Sequence, residues 1–485
     1  MAGQPPRERW RNEFSRWFDW VLEEAGIYDY GRYPVKGMGV WMPYGFQIRR
    51  RVLDIIRGVL DEAGHEEVLF PLLIPEQLLR RESEHVRGFE AEVYWVTHGG
   101  REPLDVKLAL RPTSETSISY MESFWIKSYR DLPRRFYQVV SIFRYETKAT
   151  RPLIRLREVT TFKEAHTVHE SFEDADRQVG EAIELYKRIF NELGIPYVIS
   201  KRPEWDKFAG AVYTIAFDTV MPDGKTLQIG TVHHLGQNFT IPFEVRIQLR
   251  DESIDYAWQT SYGLSDRVIA TLLAIHGDDR GPVLPPNVAP IQVVVIPIPA
   301  RSTEDAEKVK KTLEELEARL RETGIRYTVD SREDVRPGRK YYEWEAKGVP
   351  VRIEIGPREA REGSVLLVRR DTLEKRKTPL STLIEELGKV FTEIEENLRD
   401  RAWKWLYGMV SRAESIEDAR RIIEEKRGIV EMPWCGRMEC GQMLEEEVDA
   451  GVLGSPLTPP EWVKGKRCPV CGRPAVTSIR LAKKY

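Results

Sequence analysis

Five cations crowd into one short stretch of this 485-residue sequence, FRYETKATRPLIRLRE at 143–158. Like charges at such spacing repel one another unless an anion lies among them, and the planar guanidinium of arginine binds phosphate or carboxylate oxygens in pairs. Because residues i and i+2 of a strand project from one face, we expect Arg144 and Glu146 to point together. Arg155 and Arg157 are expected to do the same. The alternative is a solvated pair of charged strands with internal salt bridges.

A distant arginine favours the anion-binding interpretation. Arg267 opens the apolar helix predicted in SYGLSDRVIATLL at 261–273. A charge at the start of an apolar helix gains little unless that end faces a cavity. We therefore predict that Arg267 and the arginines of the 143–158 stretch surround one anionic ligand, and that Glu146 accepts a hydrogen bond from an amino group of that ligand.

The cysteines predict a structural metal site. All four lie in the last 51 residues, as Cys435, Cys440, Cys468 and Cys471, with the spacing C-x4-C-x27-C-x2-C. Two short cysteine pairs brought together from a distance form the closed tetrahedral thiolate site of structural zinc. Two disulfides or four unrelated thiols are the alternatives, and a cytoplasmic setting argues against the disulfides. With no open ligand position, the zinc would be structural rather than catalytic.

Composition limits the class of protein. A chain of 485 residues with 41% hydrophobic content buries more than one core, and its net charge of -3 excludes a uniformly basic nucleic-acid coat. No apolar run reaches the roughly 18 residues of a membrane span, and the first residues lack the apolar centre of a secretory signal. We expect a cytoplasmic protein with neither a membrane nor DNA as a partner.

Hydrophobic spacing predicts an α+β region over residues 1–282. Amphipathic helices are predicted over 10–21 and 45–64, followed by a strand, EEVLFPLL at 66–73, that carries Pro71. A proline places that strand at a sheet edge or at a subunit interface. Two strands joined by a polar loop over 136–170, a helix over 172–193 and further short strands predict an antiparallel sheet flanked by helices.

The pattern of predicted strands and helices changes at GPVLPPNVAP, residues 281–290, where four prolines predict an extended, stiff linker. Alternating strands and helices after it predict a compact α/β domain with a mixed sheet over 283–400. A long charged helix from 382 to about 412 leads into a zinc-binding region over 401–485 that has few apolar anchors.

The order of these motifs resembles class II aminoacyl-tRNA synthetases: a proline-bearing edge strand near 46–74, an F-R-x-E strand with its loop and returning arginine strand at 136–169, and a G-L-x-x-R helix at 261–290. Further blocks resemble prolyl-tRNA synthetases of the archaeal and eukaryotic type, in class IIa. They are RPTSE at 111–115, FKEAHT at 162–167, KFAGAVYT at 207–214, GTVHHLGQNF at 230–239, HGDDRGPVLPPNVAP at 276–290 and PGRKYYEWEAKGVP at 337–350.

The resemblance implies a fold and a reaction. The fold is an antiparallel-sheet catalytic domain, an α/β anticodon-binding domain and a zinc-binding C-terminal domain, in a homodimer. The reaction joins L-proline to tRNA(Pro) through prolyl-adenylate, with ATP as a substrate and Mg²⁺ expected on its phosphates. Arg144 and Arg267 are implied as the catalytic residues, Arg144 between the proline carboxylate and the α-phosphate and Arg267 on the γ-phosphate.

The resemblance also assigns the remaining site residues. Proline is expected to be bound by Thr113, Glu115, Arg144, Phe162, Glu164, His166, Phe208, His233 and Ser261. ATP is expected to be bound by Arg144, Glu146, Arg155, Gln228, Thr231 and Arg267. Anticodon bases are expected to be read by Glu345, Lys347, Arg352 and Arg358. A solvated charged face is the alternative for any one of the last four.

Two other functions are considered. The first is a class II synthetase for a different amino acid, such as threonine or histidine, against which stand RPTSE, KFAGAVYT and the closed four-cysteine site. The second is a synthetase-like RNA-binding protein without catalysis. Such a protein has no need for the phosphate-binding arginines, and Arg144, Glu146 and Arg267 are all present.

Overall fold

A computed structural model describes residues 9–81 and 92–485 of the chain. Its first region is an α+β unit, as the sequence predicts. The helices are α1 (Phe14–Glu24), α2 (Pro43–Glu62), α3 (Glu76–Arg81), α4 (Glu115–Trp125), α5 (Phe172–Glu192) and α6 (Arg267–Ile275), with a 3-10 turn at Tyr129–Asp131. The strands are β1 (Tyr28–Tyr30), β2 (Gly39–Trp41), β3 (Glu66–Glu67), β4 (Leu73–Pro75), β5 (Trp95–Gly99), β6 (Glu102–Leu110), β7 (Arg134–Phe143), β8 (Glu158–His169), β9 (Val198–Lys201), β10 (Tyr213–Val220), β11 (Thr226–Gly236), β12 (Arg246–Gln248), β13 (Ile254–Tyr256), β14 (Trp258–Leu264), β15 (Gly277–Asp278) and β16 (Gly281–Pro282).

Seven of these strands form the central sheet, in the order β3-β7-β8-β14-β11-β10-β9. The pair β3–β7 is parallel, and the other five pairs are antiparallel. Side chains alternate between the two faces of a strand, so the register decides which of them meet. His166, Ser261 and His233 lie directly opposite one another on β8, β14 and β11. One face of the sheet therefore collects residues that lie far apart along the chain.

The other face of the central sheet is a packed core. Residues that alternate with those of the first face, among them Tyr262 and Val232, are buried in a cluster with Val179, Tyr186 and Leu273 of α5 and α6. Lys163 is also fully buried on this face, where its Nζ donates to the Tyr186 hydroxyl at 2.9 Å. Because one face of the sheet is packed against helices, the strands are held rigidly. The opposite face, which has the cavity, can therefore position a site precisely.

The predicted strand EEVLFPLL is wrong as a single element. Only Glu66–Glu67 pairs with the sheet, at its edge, and the next strand begins at Leu73. Proline has no N–H to donate to a neighbouring strand. The backbone of Phe70 is held by side chains instead: its N–H donates to Gln138 Oε1 at 2.9 Å, and its carbonyl accepts from Arg111 Nη1 at 2.8 Å.

The proline-rich segment 281–290, predicted as an extended linker, is buried where the first two regions meet. Leu284, Val288 and Ala289 are fully buried against the core of the first region, whereas Val283 belongs to the core of the next one. Arg370 of the second region donates to both carboxylate oxygens of Asp278, at 2.6 and 2.7 Å. Apolar burial and this bidentate ion pair hold the two regions together.

The second region is the predicted α/β unit with a mixed sheet, in the order β18-β17-β19-β20-β21. Its first two strand pairs are parallel and its last two are antiparallel. The strands are β17 (Val293–Pro297), β18 (Tyr327–Val329), β19 (Val351–Ile355), β20 (Ser364–Arg369) and β21 (Lys375–Pro379). The helices are α7 (Thr303–Arg321), α8 (Pro337–Ala346), α9 (Pro357–Arg361) and α10 (Leu383–Gly408), with a 3-10 turn at Leu380–Thr382.

Residues 410–485 form a third unit, called the C-terminal unit below, with a sheet in the order β22-β23-β25-β24. Its elements are β22 (Val410–Arg412), α11 (Ile416–Glu425), β23 (Ile429–Trp434), α12 (Met438–Glu447), β24 (Gly451–Gly454) and β25 (Thr477–Ala482), with a 3-10 turn at Glu461–Val463. Val430, Met432, Leu444, Ile479 and Leu481 are fully buried together. The expectation of few apolar anchors is therefore wrong, because alternation along β23 and β25 builds a core.

Among the helices of residues 9–81 and 92–485, none combines the length and the apolar character that crossing a membrane requires.

Candidate active site

A cavity of about 280 Å³ opens on the first face of the central sheet. It gathers the residues predicted for proline and ATP: Thr113, Glu115, Arg144, Glu146, Arg155, Phe162, Glu164, Phe208, Gln228, Thr231, His233, Ser261 and Arg267. Of the predicted residues, only His166 does not line the wall; it lies behind Glu164, with 3.2 Å between its Nε2 and Glu164 Oε2. The sheet register accounts for the gathering, since Glu164, Gly263 and Thr231 are also cross-strand neighbours.

One end of the cavity presents a carboxylate. Glu115 is the first residue of α4, is only 5% exposed, and accepts hydrogen bonds from the hydroxyls of Thr113 and, at 3.2 Å, of Ser261. The free N–H groups of a helix start favour a negative charge there. Carboxylate oxygens have about four lone-pair sites, so the two hydroxyls leave acceptor capacity for a ligand. This end of the cavity suits an ammonium group.

A second buried carboxylate stands behind the first. Burial raises the pKa of Glu164, but hydrogen bonds from His166, Ser114 and Gln138 outweigh it and leave that pKa below its ordinary value. The Ser114 and Gln138 contacts to Glu164 Oε1 are 2.5 and 2.9 Å. For His166, burial lowers the pKa, and the bond to Glu164 with nearby carboxylate charges raises it overall. Glu164 and His166 thus form a buried ion pair that supports the wall.

The side wall next to Glu115 is aromatic. The rings of Phe208 and His233 lie 4.7 Å apart and are tilted by 36°. Burial, followed by the charge of His166, lowers the pKa of His233 to about 3, so this imidazole is neutral. Its Nδ1 lies 2.9 Å from the Thr214 hydroxyl. With Phe162, these rings make a compact apolar wall beside a carboxylate, which suits a small apolar ring that carries an amino group.

The other end of the cavity is cationic. Arg144, Arg155 and Arg267 all line it, and burial lowers the pKa of Arg144. Burial, together with the charges of Arg144 and Arg155, lowers the pKa of Arg267 to about 10. Backbone carbonyls orient the last guanidinium: Nε donates to Ile154 at 2.9 Å and Nη1 to Gln228 at 3.4 Å. Like charges in a buried cleft favour a bound anion.

The loop between β7 and β8 positions two of these arginines, and the predicted strand alternation is wrong there. Residues 144–157 lie outside both strands. Arg155 lines the cavity, whereas the Arg157 guanidinium lies 4.1 Å from the ring centroid of Tyr145 and donates to the Glu146 carbonyl. Because the chain turns at Arg151, whose N–H bonds the Arg155 carbonyl, Arg155 and Arg157 do not share a face. Arg144 and Glu146 both line the cavity, although they too lie outside a strand.

Sequence reasoning missed two buried groups. Arg202 lines the cavity and makes a bidentate ion pair with Asp218, at 2.8 and 2.9 Å. Neither residue belongs to a recognisable motif, since an arginine after a short strand is common. Their importance follows only from the way the strands pair.

The four cysteines come together, as predicted. Their sulfur atoms all lie within 4.8 Å of one another, and Cys435 Sγ and Cys471 Sγ are 3.6 Å apart. A disulfide requires about 2.05 Å, whereas sulfurs bound to one tetrahedral zinc at about 2.3 Å lie about 3.8 Å apart. All four cysteines are free thiols. The donor set fits a structural zinc site and argues against the disulfide alternative.

The residues predicted to read anticodon bases lie in two places. The Glu345 carboxylate is buried and pairs with Arg280 at 2.9 Å and with Arg352 at 3.2 Å, where the first two regions meet. Lys347 follows α8 and is half-buried. Arg358 is exposed on α9. The structure brings Glu345 and Arg352 together in an ion-pair network, and the anticodon role of the four residues stays a prediction.

Family models match three parts of the chain. "tRNA synthetase class II core domain (G, H, P, S and T)" matches residues 94–276, "Anticodon binding domain" matches 292–390, and "Prolyl-tRNA synthetase, C-terminal" matches 416–485. The proline–tRNA ligase of Aeropyrum pernix is 67% identical, over 100% of both chains. The chain belongs to the prolyl-tRNA synthetase family. The resemblance drawn from the motifs is confirmed.

Other prolyl-tRNA synthetases agree over their full length. The proline–tRNA ligase of Sulfurisphaera tokodaii is 59% identical, over 99% of each chain. The solved Giardia lamblia prolyl-tRNA synthetase, in complex with prolyl-adenylate, superposes with a TM-score of 0.95 at 36% identity, over 98% of this chain and 99% of that one. The Cryptosporidium parvum enzyme, complexed with halofuginone and AMPPNP, has a TM-score of 0.93 at 31% identity, over 99% of each chain. The fold class expected from the sequence is confirmed.

A buried acid near the site generates a pH prediction. Glu122 on α4 is fully buried; its Oε2 accepts from Gln259 at 2.5 Å, and Oε1 has no partner among the described residues. Burial raises the pKa of Glu122 from 4.5 to about 7, although the charge of His166 and the Gln259 bond oppose the shift. The folded state therefore holds this proton more tightly than the unfolded state, so stability falls as the pH rises from about 4.5 through 7.

We predict that Glu122→Gln flattens this pH dependence. Each unit of pKa difference corresponds to about 1.4 kcal/mol, so the variant gains roughly 3–4 kcal/mol over the wild type at pH 8 and almost nothing near pH 4.5. Urea denaturation at both pH values measures the difference. Glu184→Gln, at an exposed position of α5, is the matched control and leaves the profile unchanged. Parallel profiles of wild type and Glu122→Gln would contradict the assignment.

Proposed function

We propose that this chain joins L-proline to tRNA(Pro) in two steps. The proline carboxylate attacks the α-phosphate of ATP, which gives prolyl-adenylate and releases pyrophosphate. The terminal ribose hydroxyl of the tRNA then attacks the prolyl carbonyl and releases AMP. The observation that carries the proposal is one cavity with a carboxylate and aromatic rings at one end and three arginines at the other. That polarity matches an amino acid joined to a nucleotide.

The proline end is proposed to read the secondary ammonium. Glu115 pairs with its charge and Thr113 accepts from its N–H, while Phe162, Phe208 and His233 enclose the pyrrolidine ring. A neutral His233 adds no cation to repel the ammonium, consistent with its lowered pKa. Ser261, Glu164 and His166 act behind these groups, since Ser261 donates to Glu115 and the other two form the buried pair.

The nucleotide end is proposed to stabilise the charge that develops during transfer. Arg144 belongs to the cationic end, and the charges near it include that of Glu115 as well as that of Glu146, so it suits a bridge between the proline carboxylate and the α-phosphate. Arg267 and Arg155 bind the outer phosphates, and Glu146, Gln228 and Thr231 hold the nucleoside. Preplaced cations are the main source of catalysis in such transfers. No covalent nucleophile from the protein is required.

Mg²⁺ is expected to bind together with ATP, on its phosphates. Mg²⁺ binds oxygen ligands and usually takes one or two carboxylates in addition to substrate phosphates. Glu146 and Asp206 line the cavity together with the three arginines, so the residues present fit such an ion. When bound, it would neutralise phosphate charge, and the chain's own arginines orient the triphosphate.

Proline-dependent exchange of pyrophosphate into ATP tests the function. We expect exchange with proline, much less with alanine or threonine, and none without an amino acid. Exchange driven best by threonine or histidine would indicate a synthetase for a different substrate. Binding of tRNA without any exchange would favour the RNA-binding alternative and overturn the proposal.

Glu115→Gln tests the proline end specifically. The substitution keeps the shape and removes the charge that pairs with the ammonium. We predict that kcat/KM for proline falls by about two powers of ten, from the loss of a charged hydrogen bond worth roughly 1.5–3 kcal/mol and from disturbed placement. KM for ATP stays within about twofold of wild type, because uniform ATP contacts are untouched.

The control for this variant is Glu173→Gln, an exposed position of α5. It is expected to retain wild-type constants for both substrates. A Glu115→Gln enzyme that needs more ATP but no more proline would contradict the assignment of Glu115.

The other regions are proposed to serve tRNA. Residues 1–282 act as the catalytic domain, 283–400 as the anticodon-binding domain and 401–485 as the zinc-binding domain. Single-stranded anticodon bases are read by hydrogen-bonding edges and by stacking, and the phosphates by cations. Arg358 is exposed and therefore accessible for such contacts, whereas Glu345 is buried and pairs with Arg352.

We also propose that the protein is a homodimer. An apolar surface next to the edge of the central sheet supports this, with Leu69 80%, Phe124 58% and Trp125 46% exposed. The rings of Phe70 and Trp125 lie 5.9 Å apart, so the 69–73 segment and the end of α4 form one patch. Exposed apolar patches of this kind usually mark an interface.

The four thiols are proposed to hold one zinc ion per chain. We predict that elemental analysis of the native protein finds one zinc and that Cys468→Ser loses it, because the buried Cys468 is one of only four donors. Metal coordination adds folding free energy, so hydrogen exchange around 435–440 and 468–471 speeds up in the variant.

Val470→Ala is the control for the zinc prediction, since it changes the same loop and keeps all four thiols. It is expected to retain the metal. Native protein free of zinc, or Cys468→Ser with full zinc content, would contradict the site.

A further inference from the structure

The C-terminal unit is joined edge to edge with the central sheet. Lys201, the last residue of β9, donates its N–H to the Ser455 carbonyl at 2.8 Å and accepts from the Ser455 N–H at 3.0 Å. A second backbone junction lies at β11, where Thr226 donates to the Lys483 carbonyl at 2.8 Å and accepts from the Tyr485 N–H at 3.1 Å. Two strands of the catalytic sheet therefore end in hydrogen bonds to the C-terminal unit.

Arg202 follows the first junction directly and links it to the cavity. Its Nη1 donates to Asp218 Oδ2 at 2.9 Å and to the Leu453 carbonyl of the C-terminal unit. Its Nη2 donates to Asp218 Oδ1 at 2.8 Å and to Gln228 Oε1 at 2.9 Å. These four bonds occupy all four Nη hydrogens. Arg202 thus has little left to offer a ligand directly, although it lines the cavity.

Gln228 receives its orientation from this contact. A guanidinium can only donate, so the amide oxygen of Gln228 must face Arg202, and the amide NH₂ is left for other acceptors. Gln228 lines the cationic end of the cavity, and its own carbonyl accepts from Arg267. The direction of the amide donors therefore depends on the position of Arg202, which is shared between Asp218 and Leu453.

The chain makes the junction sterically tight. Gly454 has a φ of +110°, and a Cβ placed on it would lie 2.1 Å from the Lys201 carbonyl oxygen. Backbone atoms cannot yield as a flexible side chain can, so only glycine fits this position. Nearby, a Cβ on Gly441 would lie 2.4 Å from the ring of Trp205, which packs against α12. Close approach here is what brings the Leu453 carbonyl to Arg202.

We infer that Arg202 is a positioning residue through which the docked C-terminal unit fixes Gln228 in the nucleotide end of the cavity. The inference rests on the proposed synthetase activity. Docking of the C-terminal unit acts on ATP binding and leaves the carboxylate of the proline end, Glu115 on α4, unchanged. The unit then contributes to the active site without touching a substrate.

Gly454→Ala tests the link, because its methyl group pushes the Leu453 carbonyl away from Arg202. The matched control is Gly451→Ala in the same strand, where the three atoms nearest to the added methyl group all belong to the flexible side chain of Lys484. In the exchange assay we expect Gly454→Ala to raise KM for ATP about tenfold, the effect of one lost hydrogen bond. KM for proline and the zinc content stay as in wild type, and Gly451→Ala matches wild type throughout.

Arg202 itself is tested with a neutral pair, Arg202→Gln combined with Asp218→Asn, which avoids an unpaired buried charge. The pair is expected to raise KM for ATP as Gly454→Ala does, and adding Gly454→Ala to it causes no further increase, because both act through one contact. Arg202→Lys alone keeps the charge but loses the paired N–H donors of the guanidinium. We expect this variant to bind ATP with less than half of the wild-type affinity.

Calorimetric titration with AMPPNP gives a readout independent of turnover and decides the result if a variant is inactive. Variants that bind AMPPNP as wild type does, while wild type shows proline-dependent exchange, would overturn the inference and leave the proposed function standing. Equal weakening of ATP and proline with loss of folded protein would assign Arg202 a purely structural role and also overturn it. A wild type without exchange contradicts the proposed function instead.

Discussion

Repulsion among buried arginines is the constraint on which the active site depends. Arg144, Arg155 and Arg267 line one cavity, and burial with this mutual repulsion lowers the pKa of Arg267 to about 10. A folded protein keeps such an arrangement only if the surroundings hold each group in place. Here backbone carbonyls hold two of the guanidiniums. Arg267 donates to the carbonyls of Ile154 and Gln228, and Arg144 donates to the carbonyl of Pro112. The cavity is therefore prepared for an anion before one arrives.

The central sheet separates support from chemistry. Alternation along β8 places Phe162, Glu164 and His166 on the cavity face and Lys163 in the core. Cross-strand register then lines these residues up with Ser261 and with the partners on β11. A rigid sheet with a covered back can hold charged groups within the narrow tolerances that a two-substrate reaction needs.

Much of the site could be predicted from the sequence because its residues lie in contiguous motifs whose order follows the strands. Arg144, Glu146 and Arg267 are recognised in this way. The cysteine spacing alone predicts that the four thiols come together. The conformation of the 144–157 loop could not be predicted, since the bond from Arg151 to the Arg155 carbonyl replaces strand pairing there. The burial of the proline-rich segment at 281–290 depends on how two cores meet, which periodicity does not report.

Groups that act through another residue were also beyond sequence reasoning. The proposed role of Arg202 depends on its hydrogen bonds to Asp218, Gln228 and the Leu453 carbonyl, which lie up to 251 positions away along the chain. In the sequence Glu122 is an ordinary glutamate of a predicted helix. Only the structure shows that α4 packs it against Gln259. Both depend on tertiary contacts between separate elements, and neither has a local signature in the sequence.

Calorimetric binding of a non-hydrolysable prolyl-adenylate analogue to wild type and to Arg267→Met tests the central claim most directly, with urea denaturation of both ligand-free proteins. Since the substitution removes a buried like charge, we predict that the ligand-free variant is within about 1 kcal/mol of wild type in stability. The analogue should bind it at least about 100-fold more weakly, because charged hydrogen bonds are lost. Equal affinity of the analogue for both proteins would contradict the account.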